Sequence, residues 1–228
     1  DVHEYIIVYA KSPELFKATR NKVPLDAKSQ KVYKNPNKDP QGPWRLIPIT
    51  AQAGHATPDQ FYEIVSPSGK IFTPPSGRCW GLAKATFDRL NAEGKIYFGK
   101  KGNSQPSLIR YLWEVEGLVP WTWWPHDEVG HTDESKKELY SILGKEIDFE
   151  NPKPTRLIKR ILQIATNPGD LILDSFAGSG TTGHATLQLA KDRKFILVEM
   201  EPHIAKSVTA ERLRRVIQGH GDIQGIGG

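Results

Sequence analysis

Leu171-Ile172-Leu173-Asp174-Ser175-Phe176-Ala177-Gly178-Ser179-Gly180-Thr181-Thr182-Gly183 decides how the rest of the sequence is read. Its first three residues are a short all-apolar strand, the type buried in a parallel sheet. The glycines let the backbone turn sharply and approach a ligand that side chains would block. The N–H groups at the start of the following helix, expected over 181–190, favour a negative ligand group. A second apolar strand, 195–198, and a last helix over 202–217 follow, with Arg212, Arg214 and Arg215 near its end. Upstream, Pro154 starts a helix whose Leu157, Ile158, Ile161, Leu162 and Ala165 share one face, and Asn167-Pro168-Gly169 stops it. From Asn151 onward the order is helix, strand, helix, strand, helix. That alternation marks a parallel α/β sheet.

Three ligands compete for the loop. A phosphate-cradling P-loop places Lys after its last Gly, but His184 follows Gly183, so nucleotide hydrolysis is set aside. Gly178-x-Gly180-x-x-Gly183 matches the dinucleotide fingerprint, and Glu199 ends the next strand, where an acid would hold ribose hydroxyls. A nicotinamide enzyme needs several further strands after the fingerprint, however, and only about 45 residues follow Gly183. In Asp174-x-Phe176-x-Gly178-x-Gly180 the carboxylate can instead meet the ammonium of S-adenosylmethionine while the glycines admit its methionine part. Taken singly, Asp174 reads equally well as a cap and Glu199 as a solvated acid. Together, at consecutive strand ends, they read as a site. Ser179, Thr181 and Thr182 also suit turn and N-cap positions. His184 reads as structural.

Composition sets outer bounds. The 228 residues carry 31 Lys and Arg against 26 Asp and Glu, a formal net charge of +5, so a polyanionic partner is compatible but not demanded. One cysteine, Cys79, excludes an intramolecular disulfide and a Cys-rich zinc cluster. No uncharged apolar run approaches the roughly 20 residues of a bilayer span, so a soluble, cytoplasmic protein without a membrane partner is expected.

The opening run Tyr5-Ile6-Ile7-Val8-Tyr9-Ala10 reads as a buried parallel strand ended by Lys11-Ser12-Pro13. From Ser12 to Ser76, Pro, Gly, Asn and Lys punctuate the chain and long elements are not expected. Between Trp80 and Gly144 the pattern predicts helices over 83–92 and 108–116, a strand over 96–98, and a helix from an Asp133 cap to residue 143. Trp113, Trp121, Trp123 and Trp124 are read as the core of a small subdomain rather than as base-stacking groups. The glycine-rich tail from Gly219 is expected to be disordered.

These residues resemble the modification subunits of type III restriction-modification systems, β-class amino-methyltransferases that act on adenine N6 in DNA. The resemblance covers nearly the whole chain. Asp174 to Thr182 is similar to the family's cofactor motif, and Phe195-Ile196-Leu197-Val198-Glu199 to its acidic strand end. Asn151-Pro152-Lys153-Pro154 is similar to the segment that closes over the methionine end. His3 to Lys11 resembles a strand of the catalytic half. Gly42-Pro43-Trp44, Pro74 to Trp80, Phe98 to Asn103 and Glu128-Val129-Gly130 resemble parts of its target-recognition region.

The resemblance implies a partial Rossmann-like methyltransferase sheet with an inserted α+β target-recognition region. A catalytic-half strand would occupy 1–12, the insertion 13–148, the S-adenosylmethionine half 149–218 and a flexible tail 219–228. It implies cofactor contacts at Lys153, Thr155, Asp174, Phe176, Gly178, Ser179, Gly180, Thr181, Thr182 and Glu199, no metal, and DNA contacts at Arg78, Lys100, Lys101, Asn103 and Arg110. Double-stranded DNA, a restriction subunit and a second copy are the implied partners.

One departure stands out. The family transfers methyl with an Asp-Pro-Pro-Tyr tetrapeptide whose ring stacks on a flipped base. None occurs here: Thr73-Pro74-Pro75-Ser76, Asp39-Pro40-Gln41-Gly42 and Asn151-Pro152-Lys153-Pro154 all deviate. The only methionine is Met200, so the chain is expected to be the C-terminal portion of a longer enzyme, inactive alone and without a catalytic residue of its own. Cytosine N4 is an alternative target. A stand-alone DNA-binding module with an incomplete cofactor site is the alternative from another class, and a nicotinamide dehydrogenase a distant third.

Overall fold

A computed structural model of the chain describes residues 3–189 and 192–226. Ala190, the expected end of the helix after the glycine loop, lies outside the described residues, as do the first two and last two positions. The chain divides into two compact units, Pro24–Glu116 on the one hand and Asp1–Val23 with Gly117–Gly228 on the other. The insertion expected over 13–148 thus spans the first unit together with flanking segments that group with the second.

In the second unit Leu171–Asp174 and Lys194–Leu197 pair in parallel, with Leu171 opposite Lys194 and Asp174 opposite Leu197. Helix Thr181–Leu189 connects them and packs on helix Thr155–Ala165. Leu162, Ile172 and Ala185 are buried between them, supported by Ile158, Leu189 and Phe195. Burying each large aliphatic chain here contributes about 1.5–3 kcal/mol. The strand alternation sends Ile172 inward, whereas Leu171, Leu173 (62% exposed), Ile196 and Val198 stand on solvent-facing positions. Beyond the second strand one helical rod runs through Pro202–Ile204, a π-helical turn Ala205–Ala210 and Glu211–Gln218. The π turn interrupts the regular helix expected over 202–217.

The Pro24–Glu116 unit is built on antiparallel pairing. Ser107–Tyr111 lies between Trp44–Pro48 and Ile96–Tyr97 in a three-stranded sheet, and Thr50–Gln52 pairs with Arg78–Trp80. Its core gathers Ile49, Ile64, Trp80, Phe87, Leu90, Ile96 and Phe98, with helix Lys84–Ala92 supplying Phe87 and Leu90. Trp80 is 0% exposed and its indole N–H donates to the Tyr62 carbonyl at 2.8 Å, which satisfies the one polar atom of a buried tryptophan.

Several expectations are corrected. Residues 108–116 do not form a helix: the first four join the ladder as part of strand Ser107–Tyr111 and Leu112–Glu114 is a single 3₁₀ turn. Pairing on both edges satisfies more backbone groups than a short, weakly amphipathic helix would. The run from Tyr5 to Ala10 is not a strand. No described strand pairs with it, Tyr9 is 93% exposed, and an extended segment without a ladder partner has nothing to hold it in a sheet.

The tryptophans named as core are not core. Trp113, Trp121 (77% exposed) and Trp123 are exposed and Trp124 is half-buried, with the Arg160 guanidinium 5.6 Å from its ring centroid. Trp113 sits in the 3₁₀ turn Leu112–Glu114, and the Pro- and Gly-bounded segment of the other three, Gly117 to Pro125, lacks the regular element that would turn the rings inward together. Helix Thr132–Leu143 is capped by His131, whose Nδ1 accepts from the Glu134 N–H at 3.3 Å, so Asp133 lies one residue inside it. The tail forms a short hairpin, Gly219–His220 with Ile223–Gln224, rather than disorder over its described part.

Candidate cofactor site

The glycine loop leaves the end of the first parallel strand and is tied at once to the second. Val198 N–H donates to the Asp174 carbonyl and Ala177 N–H to the Val198 carbonyl, both at 2.9 Å, which carries the ladder one step past the strands. Gly178 and Gly180 then adopt φ of 50° and 76°, in the left-handed region that glycine enters at no steric cost. Space enforces the same choice. A Cβ on Gly178 would lie 3.1 Å from Phe149 Cζ, and one on Gly180 would lie 3.2 Å from the Thr209 carbonyl oxygen.

The two acids meet this loop from the two strand ends. Asp174 Oδ1 accepts from the Phe176 N–H at 3.0 Å, and its Oδ2 accepts from the Thr182 hydroxyl at 2.6 Å, so the carboxylate spans the turn. Glu199 Oε2 accepts from the Gly178 N–H at 2.8 Å and its Oε1 from the Glu201 N–H at 3.0 Å. Backbone N–H groups of Glu201 and Gly178, helped by that of Met200, hold the Glu199 carboxyl below the usual carboxylate range, so it is charged at neutral pH. Phe176 is 92% exposed at the loop's rim. Next to Gly178, an open recess is bounded by Asp148, Phe149, Glu150, Asn151 and Ile204.

Behind the loop lies a residue that the sequence did not single out. Arg212 is 0% exposed. One terminal nitrogen donates to Ser179 Oγ at 3.1 Å and Thr181 Oγ1 at 3.0 Å, and lies 3.4 Å from the Ser179 carbonyl. The other donates to Thr155 Oγ1 at 2.9 Å and Glu138 Oε2 at 3.1 Å, and meets His184 Nδ1 at 3.1 Å. Thr155, Ser179 and Thr181, expected at the cofactor, are therefore buried with their hydroxyls committed to this cluster. Burial foremost, with Arg212, His220 and Lys159 adding, pulls the His184 pKa down to about 3. It is thus neutral at physiological pH and accepts from the guanidinium through Nδ1. Lys153 is exposed, its ammonium 2.9 Å from both Glu4 oxygens, while its carbonyl accepts from Thr181 Oγ1 at 3.2 Å.

The residues expected at DNA all lie in the Pro24–Glu116 unit. Lys100 and Lys101 stand exposed on the turn closed by the Gly102 N–H to Gly99 carbonyl bond, with Asn103 exposed just after it. Arg110 sits in the central strand directly opposite Arg45, which sequence reading missed. Arg78 is half-buried and spends a guanidinium nitrogen on the Thr50 carbonyl at 3.0 Å. Among the described residues no helix is long and apolar enough to cross a membrane.

Comparison with known proteins adds the family. Residues 1–211 match the model of the DNA methylase family. The Mod subunit of the type III restriction-modification enzyme StyLTI of Salmonella typhimurium is 33% identical over 215 residues, covering 92% of this chain and 31% of that protein. The type II methyltransferase M.EcaI of Enterobacter cloacae is 28% identical, covering 91% of this chain and 41% of its own. The solved structure of M1.HpyAVI is 43% identical over 27% of this chain and 29% of that one, with a TM-score of 0.25. The chain therefore spans under half the length of these two curated relatives.

Proposed function

The chain belongs to the DNA methylase family, and from that premise we propose that it carries the S-adenosylmethionine half and DNA-recognition elements of an enzyme that methylates adenine N6 in double-stranded DNA. The observation that carries this reading is the loop itself. A glycine turn that any side chain would strain is gripped at Gly178 by the carboxylate of Glu199, with Asp174 at the neighbouring strand end and an open recess beside Phe149.

This donor set fits the cofactor's two ends. Glu199 has further lone pairs for ribose hydroxyls, and Asp174 supplies negative charge for an ammonium. The glycines admit close approach, and Phe176 offers an exposed apolar ring. Bound there, S-adenosylmethionine supplies an electrophilic methyl group on a sulfonium. The chain's own part is positioning and electrostatics: two fixed carboxylates and a rigid turn hold the reacting end in one place without reorganising. Lys153 and the helix start at Thr155 lie on the carboxylate side, where backbone N–H groups favour a negative charge. The sequence holds no Asp-Pro-Pro-Tyr tetrapeptide, and no residue of this chain is assigned the transfer step itself. A restriction subunit and a second copy are the proposed partners of the assembled enzyme.

Calorimetric titration with S-adenosylmethionine tests the assignment. Asp174→Ala and Glu199→Gln each weaken binding about tenfold or more, as expected when a charged hydrogen-bonding partner is lost. Wild-type affinity in both variants overturns it. A second reading, a DNA-binding module whose cofactor site is incomplete, draws on the Arg45 and Arg110 pair. Like charges directly opposite in a ladder repel unless an anion lies across them.

A further inference from the structure

The last helical rod does more than cover the sheet. Its π-helical turn, Ala205–Ala210, ends where Thr209 and Arg212 both reach the glycine loop. Thr209 Oγ1 donates to the Gly178 carbonyl at 2.6 Å and also lies 3.2 Å from the Ile204 carbonyl of its own rod. Three residues later, Arg212 holds Ser179 through its hydroxyl at 3.1 Å and its carbonyl at 3.4 Å. A π turn carries one residue more per turn than an α-helix, and such turns re-aim side chains at functional sites.

Two successive peptide units are fixed in this way. In a planar trans peptide the C=O and the next N–H point in opposite directions, and no cis bond is present among the described residues. With the Gly178 carbonyl turned to Thr209, the Ser179 N–H points away from the rod. The Ser179 and Thr181 hydroxyls cannot do the same work: both are buried and accept from Arg212, the Thr181 hydroxyl donates to the Lys153 carbonyl at 3.2 Å, and the Ser179 hydroxyl is left to donate to Thr181 Oγ1 at 3.1 Å.

Building on the cofactor assignment above, we propose that Thr209 and Arg212 are positioning residues: they clamp the Gly178 and Ser179 peptide units so that the loop meets the cofactor's carboxylate with the Ser179 backbone N–H instead of with its hydroxyls. Glu138, Thr155 and His184 hold the clamp from behind, binding the other terminal nitrogen of Arg212.

The test compares Thr209→Val, which keeps shape and removes the donor, with Thr209→Ser, which keeps the donor, and adds Arg212→Lys. Two readouts are taken on the full chain. The first is hydrogen exchange of the ligand-free protein at the Gly178 and Gly180 amides, which are bonded to Glu199 and to the Ala177 carbonyl. Thr209→Val speeds exchange there about fivefold or more, leaves the Lys194 amide of the sheet unchanged, and Thr209→Ser restores protection. The second is S-adenosylmethionine affinity, weakened about three- to tenfold by Thr209→Val and Arg212→Lys and recovered in Thr209→Ser. Unchanged exchange at the loop, or exchange that rises equally at Lys194, overturns the clamp. Failure of the unaltered chain to bind S-adenosylmethionine overturns the cofactor assignment instead, and the exchange readout still decides the clamp.

Discussion

At the scale of single residues, the site depends on where side chains are forbidden and where one proton is withheld. Gly183 was read as the last glycine of a fingerprint, yet its role is packing: a Cβ there would lie 2.8 Å from Leu213 Cδ2 and 3.0 Å from Leu197 Cδ1. Gly183→Ala crowds two leucine methyls, a cost of about 1–3 kcal/mol that the roughly 1 kcal/mol gain in helix propensity partly offsets, so thermal unfolding shows a net loss of about 2 kcal/mol at most. His184 gives a pH signature. Its folded pKa of about 3 lies below its usual 6.5, so the unfolded chain binds the proton first. Its contribution to stability is complete above pH 6.5 and is lost as pH falls from there toward 3. Between pH 6.5 and 5, above the range of the carboxylates, this one group gives a slope of up to about 1.4 kcal/mol per pH unit. Denaturant titrations across that interval show the slope in the wild type and its loss in His184→Gln. An equal slope in both means that His184 is not buried in neutral form.

At the scale of elements, legibility followed locality. The two apolar strands, the glycine turn between strand and helix, and helix Thr155–Ala165 with its stop at Asn167-Pro168-Gly169 could be read because each is signalled within a few residues. The 108–116 segment could not. Leu108, Ile109 and Tyr111 suit either period, and partners far off in sequence, Trp44–Pro48 above all, made it a strand. Arg212 was invisible for the same reason. Nothing in its neighbourhood distinguishes it from Arg214 and Arg215, which pair with Glu211 on the surface, whereas Arg212 reaches 74 residues back to Glu138. The strand pairing carries its own prediction. If Arg45 and Arg110 lie across a DNA phosphate, changing both to alanine weakens DNA binding irrespective of sequence and reduces the slope of log affinity against log salt by about 1. A slope that does not move removes them from the interface.

At the scale of the whole molecule, composition gave little beyond a solvable core and a mild positive charge, and tryptophan counting misled. Trp80 is the buried one, set by its pairing partner Thr50 and by the Tyr62 carbonyl, while the Trp121 to Trp124 segment that drew attention lies largely exposed. Helix Thr132–Leu143, expected within the recognition insertion, belongs to the unit with the glycine loop and brings Glu138 to Arg212. The surroundings of one short motif are thus drawn from the stretch after residue 147 and from this helix. The proposed function rests on the loop between Asp174 and Thr182 selecting S-adenosylmethionine. Parallel calorimetric titrations of the chain with S-adenosylmethionine and with NAD test it most directly. S-adenosylmethionine binds, with affinity lost or weakened at least about tenfold in Asp174→Ala, and NAD does not; selective binding of NAD contradicts the assignment.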